Sequence, residues 1–307
     1  MSHFDCSELS IPIGYGRLQA KIWTSKIVSN HSELIKVLAV HGWQDNAGTF
    51  DRLFPLLTIE SMMIVAIDLP GHGSSSHLPR GVPYTDLTWT LAIKHALDHL
   101  DWQTNITIIA HSMGAIASQE FVLYFPDRIK RLILLDTVKP KIFQPEQISI
   151  EMANCLNAYC RSDSIVFERS NSFRKEKALD IIIESHLNGR ITRDGARCLM
   201  ERALESDPNR SDCLRFKRDP RLNQIIRKKF TRQQLIDLLG SLRCEMLILK
   251  AKQTHPTLHC PYIDEFVELF RNNCLKFRFE LIDGDHYLHL TRPETISEII
   301  KDFIGNR

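Results

Sequence analysis

A chain of 307 residues, 43% hydrophobic and 25% charged, carries enough apolar surface for one large folded core and excludes a disordered protein. Its 39 Lys and Arg nearly balance 37 Asp and Glu, which leaves no strong field to hold nucleic acid or an anionic membrane and favours a small, roughly neutral partner. No apolar run approaches the roughly 18 residues of a bilayer span, the first residues lack the pattern of a secretory signal, and the eight scattered cysteines include no Cys-x-x-Cys pair.

In chain order, short apolar or β-branched runs near residues 8–13, 17–24, 35–40, 62–67, 105–110, 131–136, 244–250 and 277–282 are predicted strands. The first two are joined by Gly14-Tyr15-Gly16 and form an antiparallel hairpin; the remainder are predicted to be parallel. Helical periodicity near residues 49–57, 86–100, 113–124, 261–272 and 292–304 alternates with these strands. The pattern is that of an α/β protein with a mostly parallel eight-stranded sheet and helices on both faces. Residues 140–232 interrupt the alternation with polar helical stretches near 148–159, 176–187 and 194–205 and no convincing strand. A structureless loop of that length is rare in a compact domain. The expected organisation is therefore a core of residues 1–139 and 233–307, with 140–232 inserted as a helical cap that covers the site and walls most of its pocket.

Three stretches carry chemistry. Ile106-Thr107-Ile108-Ile109-Ala110-His111-Ser112-Met113-Gly114 is a strand run ending in a small-x-Ser-x-small turn before a helical pattern. Such a turn holds a serine in a strained conformation and exposes its Oγ at the carboxyl edge of the sheet. Ser112 is the candidate nucleophile, and the Met113 amide at the helix start can stabilise an oxyanion. Some 70 residues earlier the run 35–40 leads into His41-Gly42-Trp43, where a glycine lets the backbone approach the substrate and Trp43 N–H offers a second oxyanion donor. Gly284-Asp285-His286 follows the last strand and supplies the imidazole that a serine hydroxyl needs as general base. His289 competes with His286, whereas His72 and His111 read as loop or supporting residues. The acid is expected after the penultimate strand, yet Lys250-Ala251-Lys252-Gln253-Thr254-His255-Pro256 has no carboxylate. Asp136, at the end of Leu132-Ile133-Leu134-Leu135, takes that role here, with Asp264 and Asp285 as alternatives.

Taken together with Gln44-Asp45-Asn46-Ala47, Pro70-Gly71-His72-Gly73-Ser74-Ser75, Gly81-Val82-Pro83-Tyr84, Arg218-Asp219-Pro220-Arg221-Leu222 and Tyr287-Leu288-His289, these stretches resemble the serine hydrolase-like proteins, the kraken-like branch of the α/β-hydrolase superfamily. The resemblance covers nearly the whole chain outside the cap and departs from the family at Ala110 and Ala115, where that pattern has Gly. It implies the α/β-hydrolase fold and a hydrolase, and leaves the substrate open.

The combined expectation is a serine esterase working through an acyl-Ser112 intermediate on a small-molecule acyl substrate, with no metal, organic cofactor or nucleic-acid partner. The rival is a non-catalytic ligand-binding or scaffold protein of the same fold, supported by the empty acid position after Lys250. With no Ser-Lys-Leu-type C-terminus, the expected location is the cytoplasm.

Overall fold

The computed structural model describes residues 4–25, 34–57, 61–163, 172–186, 191–253 and 260–305. Strands apolar on both faces need cover on both sides, and those of this chain alternate cleanly between two cores. Leu38, Val65, Ile108, Leu134 and Ile248 face one core, while Val37, Ile64, Ile109, Ile133 and Leu247 face the other. The strands are β1 (Phe4–Ile13), β2 (Gly16–Ser25), β3 (Ile35–Val40), β4 (Met62–Ile67), β5 (Ile106–His111) and β6 (Ile129–Leu135), completed after the insertion by two more. The first core is closed by α1 (Asp86–His99) and α2 (Met113–Tyr124).

The insertion holds α3 (Pro145–Asp163), α4 (Ala178–Ser185) and α5 (Arg193–Ala203). It also holds strands that the sequence reading did not expect: β7 (Phe173–Arg174), β8 (Leu204–Asp207) and β9 (Arg210–Phe216) form an antiparallel sheet in the order β7-β9-β8. Their local signal is weak because they are short and polar, and the hairpin depends on an Asp207 side chain accepting from Asn209 N at 2.7 Å. The predicted helix over 194–205 gives way to strand at Leu204 for this reason.

The chain then returns through α6 (Arg232–Leu239), β10 (Glu245–Ala251), α7 (Ile263–Asn273), β11 (Lys276–Ile282), α8 (Leu288–Thr291) and α9 (Pro293–Gly305). The sheet order is β1-β2-β4-β3-β5-β6-β10-β11, with β1-β2 and β2-β4 antiparallel and the other pairs parallel. The helix predicted over 49–57 is two short 3-10 turns, Ala47–Phe50 and Phe54–Leu56, with Pro55 in the second. No helix among the described residues is long and apolar enough to cross a membrane.

Buried charge ties the insertion to the sheet. Asp68, fully buried just beyond β4, accepts from Ala47 N at 2.7 Å and Ser74 N at 2.8 Å. It also receives Arg202 of α5 through Nε and Nη2 (3.1 and 2.8 Å to Oδ2). A second guanidinium, Arg221, pairs with Asp219 at 2.7 Å and donates to the carbonyls of Leu78, Pro79 and Val82. The insertion also shares a small apolar core with the last loop, in which Ile182 and Leu199 pack with Tyr287 and Leu290. Arg202→Leu strands the Asp68 carboxylate in the interior, and urea unfolding should register a loss of about 3 kcal/mol relative to the parent.

Candidate active site

The parallel register brings four chain segments to one edge. Val40 pairs with Ala110, His111 with Leu135, Leu135 with Leu249, and Ala251 with Ile282. The loops bearing Trp43, Ser112, Asp136 and His286 therefore all leave the carboxyl ends of neighbouring strands, where open α/β sheets form their binding crevice.

Ser112 stands between β5 and α2 with φ 50° and ψ −117°, the strained left-handed backbone expected of the turn. The turn closes because two glycines let it nest against the loop after β3. A Cβ on Gly114 would sit 2.4 Å from the Val40 carbonyl oxygen and 2.5 Å from that of His41. A Cβ on Gly42 would lie 2.8 Å from His111 Nδ1 and 3.1 Å from Ser112 Cβ. Ala110, where the family pattern has Gly, is absorbed without exposure into the first core. The Met113 and Trp43 amides donate to no backbone or side-chain acceptor among the described residues. The Trp43 indole is engaged, donating to the Leu222 carbonyl at 2.8 Å.

Asp136 also has a left-handed backbone, φ 51°, and its N–H donates to the Leu249 carbonyl at 2.8 Å. One carboxylate oxygen meets Lys250 Nζ and accepts from Ala251 N at 2.8 Å; the other lies 2.7 Å from His286 Nδ1. Burial pushes the Asp136 carboxyl up, but His286 and Lys250 outweigh it and hold it below the ordinary carboxylate value. Of the three acids weighed from sequence, Asp136 is the one that the structure brings to the imidazole. Asp285 accepts from Tyr287 N at 3.1 Å within its own turn, and Asp264 lies in the first turn of α7.

His286 is buried, and its pKa is lowered by that burial and by the neighbouring His111 ring, against the raising influence of Asp136. The imidazole is thus held neutral, with Nδ1 donating to Asp136 and Nε2 as the basic nitrogen. Ser112, Asp136 and His286 line one cavity of about 490 Å³. Ser112 Oγ makes no direct hydrogen bond to His286 among the described residues.

His289, the competitor, is turned away onto Thr49 Oγ1 at 2.7 Å, and His72 Nδ1 bonds the Pro70 carbonyl at 3.1 Å. His111 supports the base: its Nε2 donates to the His286 carbonyl at 3.0 Å and its ring lies 4.5 Å from that of His286. Behind the turn, Asp45 sits 3.4 Å from His111 Nδ1 and 3.4 Å from His186 Nε2 of the insertion. Among the described residues, Asp45, His111 and His289 are the group whose ligand atoms converge within 4.8 Å and could take a metal ion. Both rings bond a protein group through Nε2, which leaves the two Nδ1 atoms and one Asp45 oxygen without a hydrogen-bond partner among the described residues. His186 was not singled out from sequence, because nothing near it signals chemistry.

The pocket wall differs from expectation. Among the described residues, the insertion contributes only Pro140, Lys141 and Ile142 to the Ser112 cavity. It instead helps to frame a larger cavity of about 590 Å³, through Phe143, Glu151 of α3 and residues 227–230; that cavity shares Ile116, Pro140 and Lys141 with the first but contains neither Ser112 nor His286. The larger space lies where α2 and α6 meet, while Ser112, Asp136 and His286 line the smaller one.

With this geometry in place, the comparisons are informative. Residues 36–153 match the alpha/beta hydrolase fold family model. The chain is 31% identical to a serine hydrolase-like protein of Danio rerio, over 97% of this chain and 88% of the relative. It is 30% identical to serine hydrolase-like protein 2 of Homo sapiens, over 97% and 94%. The chain belongs to the serine hydrolase-like protein family. Among solved structures, a hypothetical protein of Pseudomonas aeruginosa is similar at 26% identity, with a TM-score of 0.82 over 97% of this chain and 99% of that one. Outside the site, Asp219, Arg221 and Tyr84 are buried together, with Tyr84 OH donating to Asp219 Oδ2 at 2.9 Å.

The interlocked glycines give a direct test of the turn. Gly114→Ala drives a methyl into two carbonyl oxygens of the β3 loop, and should cost roughly 1–3 kcal/mol in chemical denaturation, whereas Ala115→Gly should cost less.

Proposed function

We propose that this protein is a serine esterase that cleaves a carboxylic ester, or a related acyl compound, through an acyl-Ser112 intermediate. The observation that carries the reading is the 2.7 Å hydrogen bond from His286 Nδ1 to Asp136, made beside the same cavity that exposes Ser112. His286 Nε2 takes the Ser112 proton as Oγ attacks the acyl carbon, then returns it to the leaving alcohol. In the second half the same nitrogen activates water against the acyl-enzyme. The Trp43 and Met113 amides hold the oxyanion of each tetrahedral intermediate, and Asp136 fixes the imidazole tautomer and stabilises its protonated form. Residues 1–139 and 233–307 act as the catalytic core and 140–232 as a cap. All eight cysteines are free thiols, which supports work in a reducing compartment, the cytoplasm.

A fluorophosphonate probe tests the nucleophile. Labelling of the parent and none of Ser112→Ala is the expected result, with turnover of p-nitrophenyl esters lost in parallel. Equal labelling of the two proteins removes Ser112 from the mechanism. Asp136→Asn should lower kcat by roughly two to four orders of magnitude.

The pH profile has a definite sign. Because the base is the neutral imidazole and its folded pKa is lowered, the acid limb of kcat/KM should fall below about pH 6.5. His111, Asp45 and Asp136 are the titratable groups that act on it. Loss of the Asp136 charge removes a raising influence, so the limb in Asp136→Asn should move further down, and an upward move would contradict the assignment.

A further inference from the structure

Two buried lysines line the Ser112 cavity, and Lys250 is paired with Asp136. Lys139, three residues beyond Asp136 on the segment leaving β6, lines that cavity with Ser112 and His286 while only 6% exposed. Its contacts are poor for an ammonium. It donates to the Pro140 carbonyl at a long 3.4 Å, sits 5.3 Å from the centre of the Phe266 ring, and touches the Cys260 thiol.

The other charges nearby are already committed. Lys139 has no carboxylate within ion-pairing distance among the described residues. Asp136 is taken by His286, Lys250 and the Ala251 amide. Glu265, the acid closest in influence, is held by Arg232 at 2.7 Å. Burial pushes the Cys260 thiol up, so it is protonated and supplies no negative charge. The neighbouring stretch Thr254-His255-Pro256-Thr257-Leu258-His259 contains no acid. Burial accordingly lowers the Lys139 pKa, the mark of an ammonium that lacks a partner. A second cation, Lys141, lines the same cavity from an exposed position. Counting Lys250, the lining holds three lysines and one carboxylate. The near-neutral charge of the whole chain conceals this local excess.

We propose that Lys139 is an anion subsite of the Ser112 cavity, so that the preferred substrates carry a carboxylate or phosphate in addition to the bond that is cleaved. An anionic group entering here supplies a counter-charge to an ammonium that is buried and has no carboxylate within ion-pairing distance among the described residues. Its neutral counterpart leaves the ammonium desolvated and unpaired, and discrimination against the missing partner is the stronger form of specificity. The inference rests on the reading of Ser112 as nucleophile for the identity of the ligand as substrate, but the subsite itself is measurable without turnover.

Calorimetric titration of the Ser112→Ala protein with monomethyl glutarate and with dimethyl glutarate compares an anion with a near-isosteric neutral molecule. The anion should bind at least tenfold more tightly. Lys139→Met and Lys139→Gln in the same background should each erase the difference, and Lys139→Arg should keep part of it. A half-ester that binds no better than the diester, including no binding of either, overturns the subsite, as does undiminished discrimination in both neutral variants. Fluorophosphonate labelling of the parent separately reports on the nucleophile, so the two readings fail independently.

In the active parent, mono-(4-nitrophenyl) glutarate and 4-butyryloxybenzoate place the charge on the acyl and the alcohol side. Whichever exceeds the kcat/KM of its neutral analogue tenfold identifies the side that Lys139 holds, and parity for both counts against the proposal. Lys139→Met should also raise the thermal midpoint of the unliganded protein, because it removes an unpaired buried charge.

Discussion

Two adjacent strands of the sheet end in left-handed residues, and the site depends on that pair of bends. Ser112 after β5 and Asp136 after β6 have φ of 50° and 51°, while the strands behind them run in register up to His111 and Leu135. Neither residue is glycine, so each bend costs of the order of 1–3 kcal/mol. The surrounding structure holds both in place. Ser112 is pinned by the close approach of Gly42 and Gly114 to the neighbouring loop, and Asp136 by the Leu249 carbonyl, the Ala251 amide and Lys250. A straight continuation of either strand would carry the hydroxyl or the carboxylate away from His286.

The position of Asp136, one strand before the penultimate one, has an electrostatic counterpart. The penultimate strand ends in Lys250, and that lysine meets the carboxylate that its own strand does not provide. Asp136 consequently serves a cation through one oxygen and an imidazole through the other. Lys250 and His286 share the work of keeping it ionised despite burial. The second layer is also shared, since His111 supports the His286 loop from the residue immediately before Ser112.

The legible part of the molecule was that governed by local pattern. Eight strands of the main sheet and the strand-turn-helix at Ser112 follow from runs of residues whose period or turn chemistry is visible in sequence, His286 from its place after the last strand, and Asp136 only from the lack of a carboxylate after Lys250. The features that escaped depend on partners far away along the chain. The strands β7, β8 and β9 are short and polar, and their pairing is set by a hairpin with little hydrophobic signature. Arg202 and His186 look like ordinary polar residues until burial sets them against Asp68 and Asp45. Lys139 is the plainest case, because its meaning lies in what is missing around it. The pocket wall is illegible for a related reason, since among the described residues the insertion reaches the Ser112 cavity through Pro140, Lys141 and Ile142 and not through a helix.

The position of the insertion between β6 and β10 also dictates an order of assembly. During synthesis β6 emerges with Asp136 at its tip, but the lysine that meets this carboxylate lies 114 residues later and the imidazole 150 residues later. Until β10 arrives, β6 is an apolar edge strand with open backbone groups, the kind of surface on which nascent chains pair wrongly. The whole insertion must be made, and moved aside, before that edge is covered. Ser112, Asp136 and His286 therefore meet only when the last strand and its loop have been added.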